Sequence, residues 1–344
     1  MLSTFPKDRI NRARGALLGL ACGDAVGTTV EFKPRGSFTP MTDMVGGGIF
    51  RLVAGQWTDD TSQALCLASS LIENGFDPLD QMKRYVRWHE DGYMSSTGRC
   101  FDIGNATYEA LKTFKRTGNA LAGSTDPESA GNGSIMRLAP VPIRYLDTPE
   151  LALDLCVVRS KTTHKSAECL MACRLLGEVL IRALQGLSKD EVLAPSQQAL
   201  RLSLGLKSVA AGMYKTKSLH QVRGTGYVVQ SLEAAFYCFW NTDNFKDCVL
   251  MAANLGDDAD TTSAVVGQIA GAYYGQAGIP TEWLEKLTMC KEIGVLADQL
   301  VLTEVNTVRI PVQYSHAFQC KLGQRSNPNP ITCPNESRPP ASAY

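Results

Sequence analysis

Neither charge sign prevails in this 344-residue chain: 34 Lys and Arg stand against 34 Asp and Glu, with no dense basic run. A net field that gathers nucleic acid or docks on an anionic membrane is thereby excluded, and recognition has to be local. No apolar run reaches the roughly 18 residues of a membrane span, and the leading MLSTFPKDRINRARG lacks the apolar core of a signal peptide. The eleven cysteines are an odd number without metal-ligand spacing. Cys169 and Cys173, four apart in an apolar stretch, read as core residues. These absences predict a protein of the reducing cytoplasm, monomeric by default. Alternation of period two is also missing over any useful length, and no internal repeat occurs, which leaves little room for a sheet.

What is present is helical periodicity and acid. The 44% hydrophobic content supports a sizeable core. Segments at 10–25, 61–74, 78–89, 106–116, 149–187, 231–240, 245–253, 262–274 and 283–302 carry helical patterns, the fifth interrupted at Thr162–Lys165. Gly15, Gly19 and Gly23 recur four apart in the first, and Gly267 and Gly271 do so in a late one. Each costs about 1 kcal/mol of helix propensity against Ala, so close approach by a neighbouring helix is the expected return. The fold class predicted is all-α: a compact orthogonal helical bundle over residues 1–305 with its functional loops at one end. Residues 306–344 are expected to form an extended or disordered tail, Pro-, Ser- and Asn-rich from Gln324 onward.

Acid concentrates in two places. Asn254–Thr262 packs Asp257, Asp258, Asp260, Thr261 and Thr262 ahead of an Ala/Gly-rich helix, and Trp57–Thr61 repeats the chemistry with Thr58, Asp59, Asp60 and Thr61. One such motif alone is as well explained by helix capping. Two of them facing each other would repel unless cations lay between. Carboxylate and hydroxyl oxygens without Cys or His select a hard ion, so Thr58, Asp59, Asp60, Asp258, Asp260 and Thr261 are candidate ligands of two divalent cations, Mg²⁺ or Mn²⁺. Asp257 is the odd one out, pointing away or supporting its neighbours.

Other loops hold further candidates: Glu31 after the first helix, and Asp102 in the joint Arg99–Asn105, placed either as a helix cap or in the cleft. Glu128-Ser-Ala-Gly-Asn-Gly-Ser-Ile-Met-Arg137 carries Gly131 and Gly133 around Asn132, which suits positive φ and bare amides for a phosphate. His164 serves a cap or a ligand, and Tyr227 is a core aromatic or a stacking platform.

Taken in order, Gly23-Asp-Ala-Val-Gly27 with Glu31, Trp57-Thr-Asp-Asp-Thr61, Phe101-Asp-Ile-Gly104, Gly131-Asn-Gly-Ser-Ile-Met-Arg-Leu-Ala-Pro140, Thr163-His164, Gly226-Tyr-Val-Val229 and Gly256-Asp-Asp-Ala-Asp-Thr261 resemble the ADP-ribosylglycohydrolase family, in its arginine-directed branch. The resemblance spans about Arg9 to Leu302. It implies a binuclear Mg²⁺ or Mn²⁺ centre on the six ligands named above and an ADP-ribosylated protein as partner. Substrate contacts are implied at Asp102, Gly104, Gly131, Asn132, Gly133, His164 and Tyr227, with Glu128 in the same region. Glu31 matches the glutamate on the mobile loop over the metals. Water activation or proton transfer falls to Asp60, and proton handling at the ring or leaving group to Asp102 or Glu31. Family members often carry Gly in place of Asp257, and the tail after Thr303 matches nothing in the family.

Competing readings are a phosphohydrolase using Asp258-Ala-Asp260-Thr-Thr262, which needs a buried strand the preceding Met251–Gly256 does not resemble; a calcium loop, whose required Gly and distal Glu are absent; and a non-catalytic ADP-ribose-binding protein. Serine linkages, ADP-ribose polymers, O-acetyl-ADP-ribose and nucleic-acid adducts remain open as alternatives to arginine.

Overall fold

The computed structural model describes residues 5–196, 203–303 and 308. They build fourteen helices: α1 (Phe5–Gly27), α2 (Asp59–Asn74), α3 (Pro78–Asp91), α4 (Asn105–Thr117), α5 (Pro140–Arg144), α6 (Pro149–Ser160), α7 (Ala167–Leu184), α8 (Lys189–Val192), α9 (Leu204–Ala210), α10 (Val228–Trp240), α11 (Phe245–Ala253), α12 (Ala259–Tyr274), α13 (Thr281–Lys286) and α14 (Cys290–Leu302). Among the described residues there is no strand, only four isolated bridges, so the all-α expectation holds. The boundary expected at 305/306 and the extended tail lie outside the described residues, apart from Val308, which bridges to Phe76.

The glycines decide how the helices stack. A Cβ at Gly15, Gly19, Gly23 or Gly27 would run into the carbonyl oxygens of Gly271, Gly267, Ser263 or Ala259 in turn. The partner number falls as the glycine number rises, so α1 and α12 are antiparallel and touch backbone to backbone over four turns. The two glycine sets noted in the sequence are each other's partners, since a Cβ on Gly267 or Gly271 would strike Gly19 or Gly15. Around this pair α7, α10 and α11 pack on α12, and α14 packs on α1.

Several boundaries differ from the periodic reading. Helix α1 continues through Gly23–Gly27 because those glycines still lie against α12. Helices α2, α10 and α12 begin two to three residues earlier than hydrophobic spacing marks, so Asp59, Asp60, Asp260 and Thr261 sit in first helical turns. The expected helix at 283–302 is two: the chain breaks at Leu287–Met289, where Met289 is left-handed at φ +55° and Thr288 donates to Gly55 O at 3.0 Å. Antiparallel pairing then brings the C-terminal end of α1 beside the N-terminus of α12.

Candidate functional site

Asp24, on the last turn of α1, assembles this end of the bundle. Its carboxylate is fully buried and accepts from Thr58 N (2.9 Å), Thr58 Oγ1 (2.9 Å), Thr61 N (3.0 Å) and Thr61 Oγ1 (2.6 Å). The N-terminus of α2 is thus capped from another helix, and neither Thr58 nor Asp258 makes a side-chain cap on its own helix. The capping reading of the two acidic motifs is set aside, and Asp59 and Asp60 are free for other work. The motif Gly23–Gly27 contains Asp24, yet the sequence alone gives it no role. The available signal was a lone acid among small apolar residues in a helix that has to be buried.

The two motifs do face each other. Thr58 Oγ1 lies 3.5 Å from Asp260 Oδ2, and Thr261 Oγ1 donates to Asp60 Oδ1 at 3.3 Å. Asp59 Oδ2 accepts from Gln63 Nε2 at 2.8 Å, and Asp258 Oδ2 from Asn132 Nδ2 at 2.8 Å. Glu31, Asp102 and Asp260 each bring a carboxylate oxygen within 4.8 Å of the others, a set that can hold a metal ion. Two buried oxygens, Asp60 Oδ2 and Glu31 Oε2, have no hydrogen-bond partner.

This crowding sets the electrostatics. Burial first, then Asp102 and Asp258, pushes Glu31 up to about 9; burial, then Asp24 and Asp258, pushes Asp102 up to about 7. Asp59, Asp60 and Asp260 are also raised well above the carboxylate range, chiefly by burial and next by Asp102, Asp24 and Glu31 respectively. An all-oxygen donor set with unpartnered buried oxygens and strong mutual repulsion fits a hard divalent cation.

Backbone strain places two of the acids. Asp102 adopts φ +56° in the joint before α4, whose N-cap is Gly104, so Asp102 is not the cap and lines the cavity instead. Phe32 and Asp257 are both left-handed, at φ +60° and +56°. Phe32 N donates to Asp257 O and Asp257 N to Lys33 O, each at 2.8 Å, which pins the Glu31 turn to the acidic loop. The Asp257 side chain points away, 3.8 Å from Arg223 Nη2. Its backbone explains why glycine suits the position. Asp257→Gly is expected to leave urea stability nearly unchanged, whereas the β-branched Asp257→Val should cost about 1–2 kcal/mol.

A cavity of about 990 Å³ opens over these acids. Its walls include Glu31, Asp59, Asp102, Asp258 and Asp260, the rim acids Glu109 and Glu128, and Gly104, Gly131, Asn132, Gly133 and His164, with no Lys or Arg among them. Gly131 is held at φ −77° and Gly133 is not left-handed either, contrary to the expectation of positive φ. The amides of Gly131 and Asn132 are already spent on Ser129 O (2.8 Å) and Gly226 O (3.0 Å), so the turn offers fewer free donors than expected. Glycine is needed at 133 for a different reason: a Cβ there would sit 2.7 Å from His164 Cε1. His164 is buried, its Nδ1 is 2.8 Å from Thr163 Oγ1, and burial with Arg137 and Arg159 nearby lowers it to about 3, leaving a neutral imidazole. Tyr227, 40% exposed, donates from its hydroxyl to Glu168 at 2.6 Å, and the wall is reached by its neighbour Gly226.

Known proteins share this architecture. The model of the family described as ADP-ribosylglycohydrolase matches residues 6–309. The ADP-ribosylarginine hydrolase Tri1 of Pseudomonas putida strain GB-1 is 49% identical over 296 residues, 86% of this chain and 79% of that protein. The ADP-ribosyl-[dinitrogen reductase] glycohydrolase of Rhodospirillum rubrum is 33% identical over 284 residues, 81% of this chain and 91% of its own. A solved chain titled ADP-ribosylglycohydrolase-related protein complex superposes with a TM-score of 0.78 at 42% identity, covering 86% of this chain and 98% of that one.

Proposed function

Because the chain belongs to the ADP-ribosylglycohydrolase family, we propose that it is a divalent-cation-dependent hydrolase that removes ADP-ribose from arginine side chains of a modified protein. The observation that carries this is the carboxylate cluster of Glu31, Asp102 and Asp260 in the wall of a cavity whose lining, among the described residues, holds seven acids and no Lys or Arg, with unpartnered oxygens on Glu31 and on the buried Asp60, which does not itself line the cavity. Such a wall favours a cationic guanidinium. It would repel a diphosphate unless cations offset the charge.

The residues assigned to two Mg²⁺ or Mn²⁺ ions are Thr58, Asp59, Asp60, Asp258, Asp260 and Thr261, with Asp24 ordering Thr58 and its neighbour Thr61. When bound, such ions supply positive charge and Lewis acidity at the ribose. The chain's own residues do the rest. Asp102, which lines the cavity as part of this cluster, delivers a proton to the departing nitrogen as the bond from the anomeric carbon breaks, while Asp60 takes a proton from the attacking water. Once cations offset the repulsion that raises Glu31, its ionised carboxylate and those of its neighbours stabilise the positive charge that develops on the sugar. Gly131, Asn132, Gly133 and His164 are assigned to the diphosphate side, Gly104, Glu128 and Tyr227 to further ligand contacts. A cytoplasmic setting is supported by nine cysteines that are all free among the described residues, and no helix among them is long and apolar enough to cross a membrane.

The test is release of free ADP-ribose from an arginine-ADP-ribosylated protein with Mg²⁺, with Mn²⁺ and with chelator. Cation-dependent release is expected. Turnover only of serine-linked or O-acetyl substrates would overturn the arginine assignment, and tight ADP-ribose binding without any turnover would overturn the hydrolase.

Stability should report the same centre. Carboxylates whose folded pKa lies above the unfolded value of about 4 stabilise the cation-free protein at low pH and withdraw that support as pH rises through the folded values, about 7 for Asp102 and about 9 for Glu31. His164, depressed to about 3, acts in the opposite sense but only below about 6.5. In chelator the melting temperature is therefore expected to fall between pH 6.5 and 9. Mg²⁺ at a hundred times its Kd should restore about 2.7 kcal/mol per ion. A thermal-shift series in which Mg²⁺ has no effect at pH 8 would contradict the cation assignment.

A further inference from the structure

Arg137 is a fully buried cation that touches no carboxylate directly. Its Nη1 donates to Gln63 Oε1 and to Gly133 O (2.8 Å), and its Nη2 to Thr163 Oγ1. The guanidinium stacks 4.9 Å from the centre of the Tyr85 ring. A guanidinium has donors and no acceptor, so each partner must present a lone pair to it. For Gln63 this fixes the amide: Oε1 faces Arg137, and Nε2 donates to Asp59 Oδ2 at 2.8 Å. For Thr163 it orients the hydroxyl: Oγ1 accepts from Arg137, and among the described residues the one acceptor left for its own proton is His164 Nδ1 at 2.8 Å. His164 then carries its own proton on Nε2. That edge of the ring lies against Gly131 and Gly133 in the cavity wall and, among the described residues, has no acceptor.

We propose that Arg137 is a positioning residue that sets the hydrogen-bond direction at both ends of the cavity, making Gln63 a donor to Asp59 and His164 an Nε2–H donor toward an anionic ligand group. The proposal rests on the reading above for what occupies each end. One buried cation thereby orients a carboxylate assigned to the cations and a donor assigned to the diphosphate, without touching either.

The two arms can be cut separately in the full chain. Gln63→Leu removes the donor to Asp59 and should weaken Mn²⁺ binding about tenfold, with ADP-ribose affinity at saturating Mn²⁺ held within about twofold. Thr163→Val removes the hydroxyl that donates to His164 Nδ1 and should do the reverse. Arg137→Met should impair both and Arg137→Lys less, and because the former also strips a buried hydrogen-bonded site that supports the fold, the two single-arm variants carry the test. Nitrogen-15 NMR of labelled histidine, assigned with His164→Gln, should show the Nε2–H tautomer in the wild type and its loss in Thr163→Val. An Nδ1–H wild type, or variants in which both constants move together or neither moves, overturns the proposal while the hydrolase reading stands. Wild-type protein that binds neither Mn²⁺ nor ADP-ribose overturns that reading and this proposal with it.

Discussion

Asp260→Ala and Asp60→Ala are each expected to cut ADP-ribose release by roughly 10³-fold or more. Asp260 is the residue on which the two halves converge: its carboxylate belongs to the set with Glu31 and Asp102, faces Thr58 from α2 and accepts from its own neighbour Thr261 N at 2.7 Å. Asp60 contributes a buried oxygen that nothing in the protein satisfies. Deleting either removes charge from a cluster already strained by repulsion, so in chelator each variant should melt no lower than the wild type. That separates lost chemistry from lost fold. The measurement is steady-state release by chromatography beside the Mg²⁺-induced thermal shift; activity within tenfold of wild type in either variant would remove that residue from the centre.

Gly19→Val carries the second large effect, on stability. Gly19 lies mid-way along α1, where a Cβ would overlap Gly267 O and stand 2.9 Å from Phe245 Cε2. Two backbones cannot yield as side chains do, so the helices must separate, at a cost of at least about 3 kcal/mol. For a chain of this size that lowers the melting temperature by roughly 5 °C. Gly294, inside α14 with nothing within 4 Å of its absent Cβ, is the control: Gly294→Ala should stabilise by up to about 1 kcal/mol. Equal melting temperatures for Gly19→Val and wild type would refute the backbone-contact account of α1 and α12.

Much of this was legible in the chain. Spacing marked most helices to within a few residues, and recurring glycines announced close contact. Donor chemistry picked out the two acidic motifs that the fold brings face to face. What stayed hidden is non-local. Asp24 acts on Thr58 and Thr61, more than thirty residues on, and nothing in its own neighbourhood declares that. The break at Met289 has no Gly or Pro to mark it, because tertiary contacts of Gly55 and Trp57 with Thr288 hold it open. Gly131 and Gly133 suggested positive φ from their type alone, whereas the space taken by the His164 ring is the reason glycine stands at 133.

The reciprocal backbone bonds between Phe32, Lys33 and Asp257 make a hinge with a shared pin. Glu31 precedes one side of that pin and Asp258 follows the other. A ligand that lifts Glu31 by moving its backbone must open those bonds and release the residue next to Asp258 in the same motion. The Glu31 turn and the acidic loop are therefore one backbone unit: a displacement of either that breaks these bonds loosens the other.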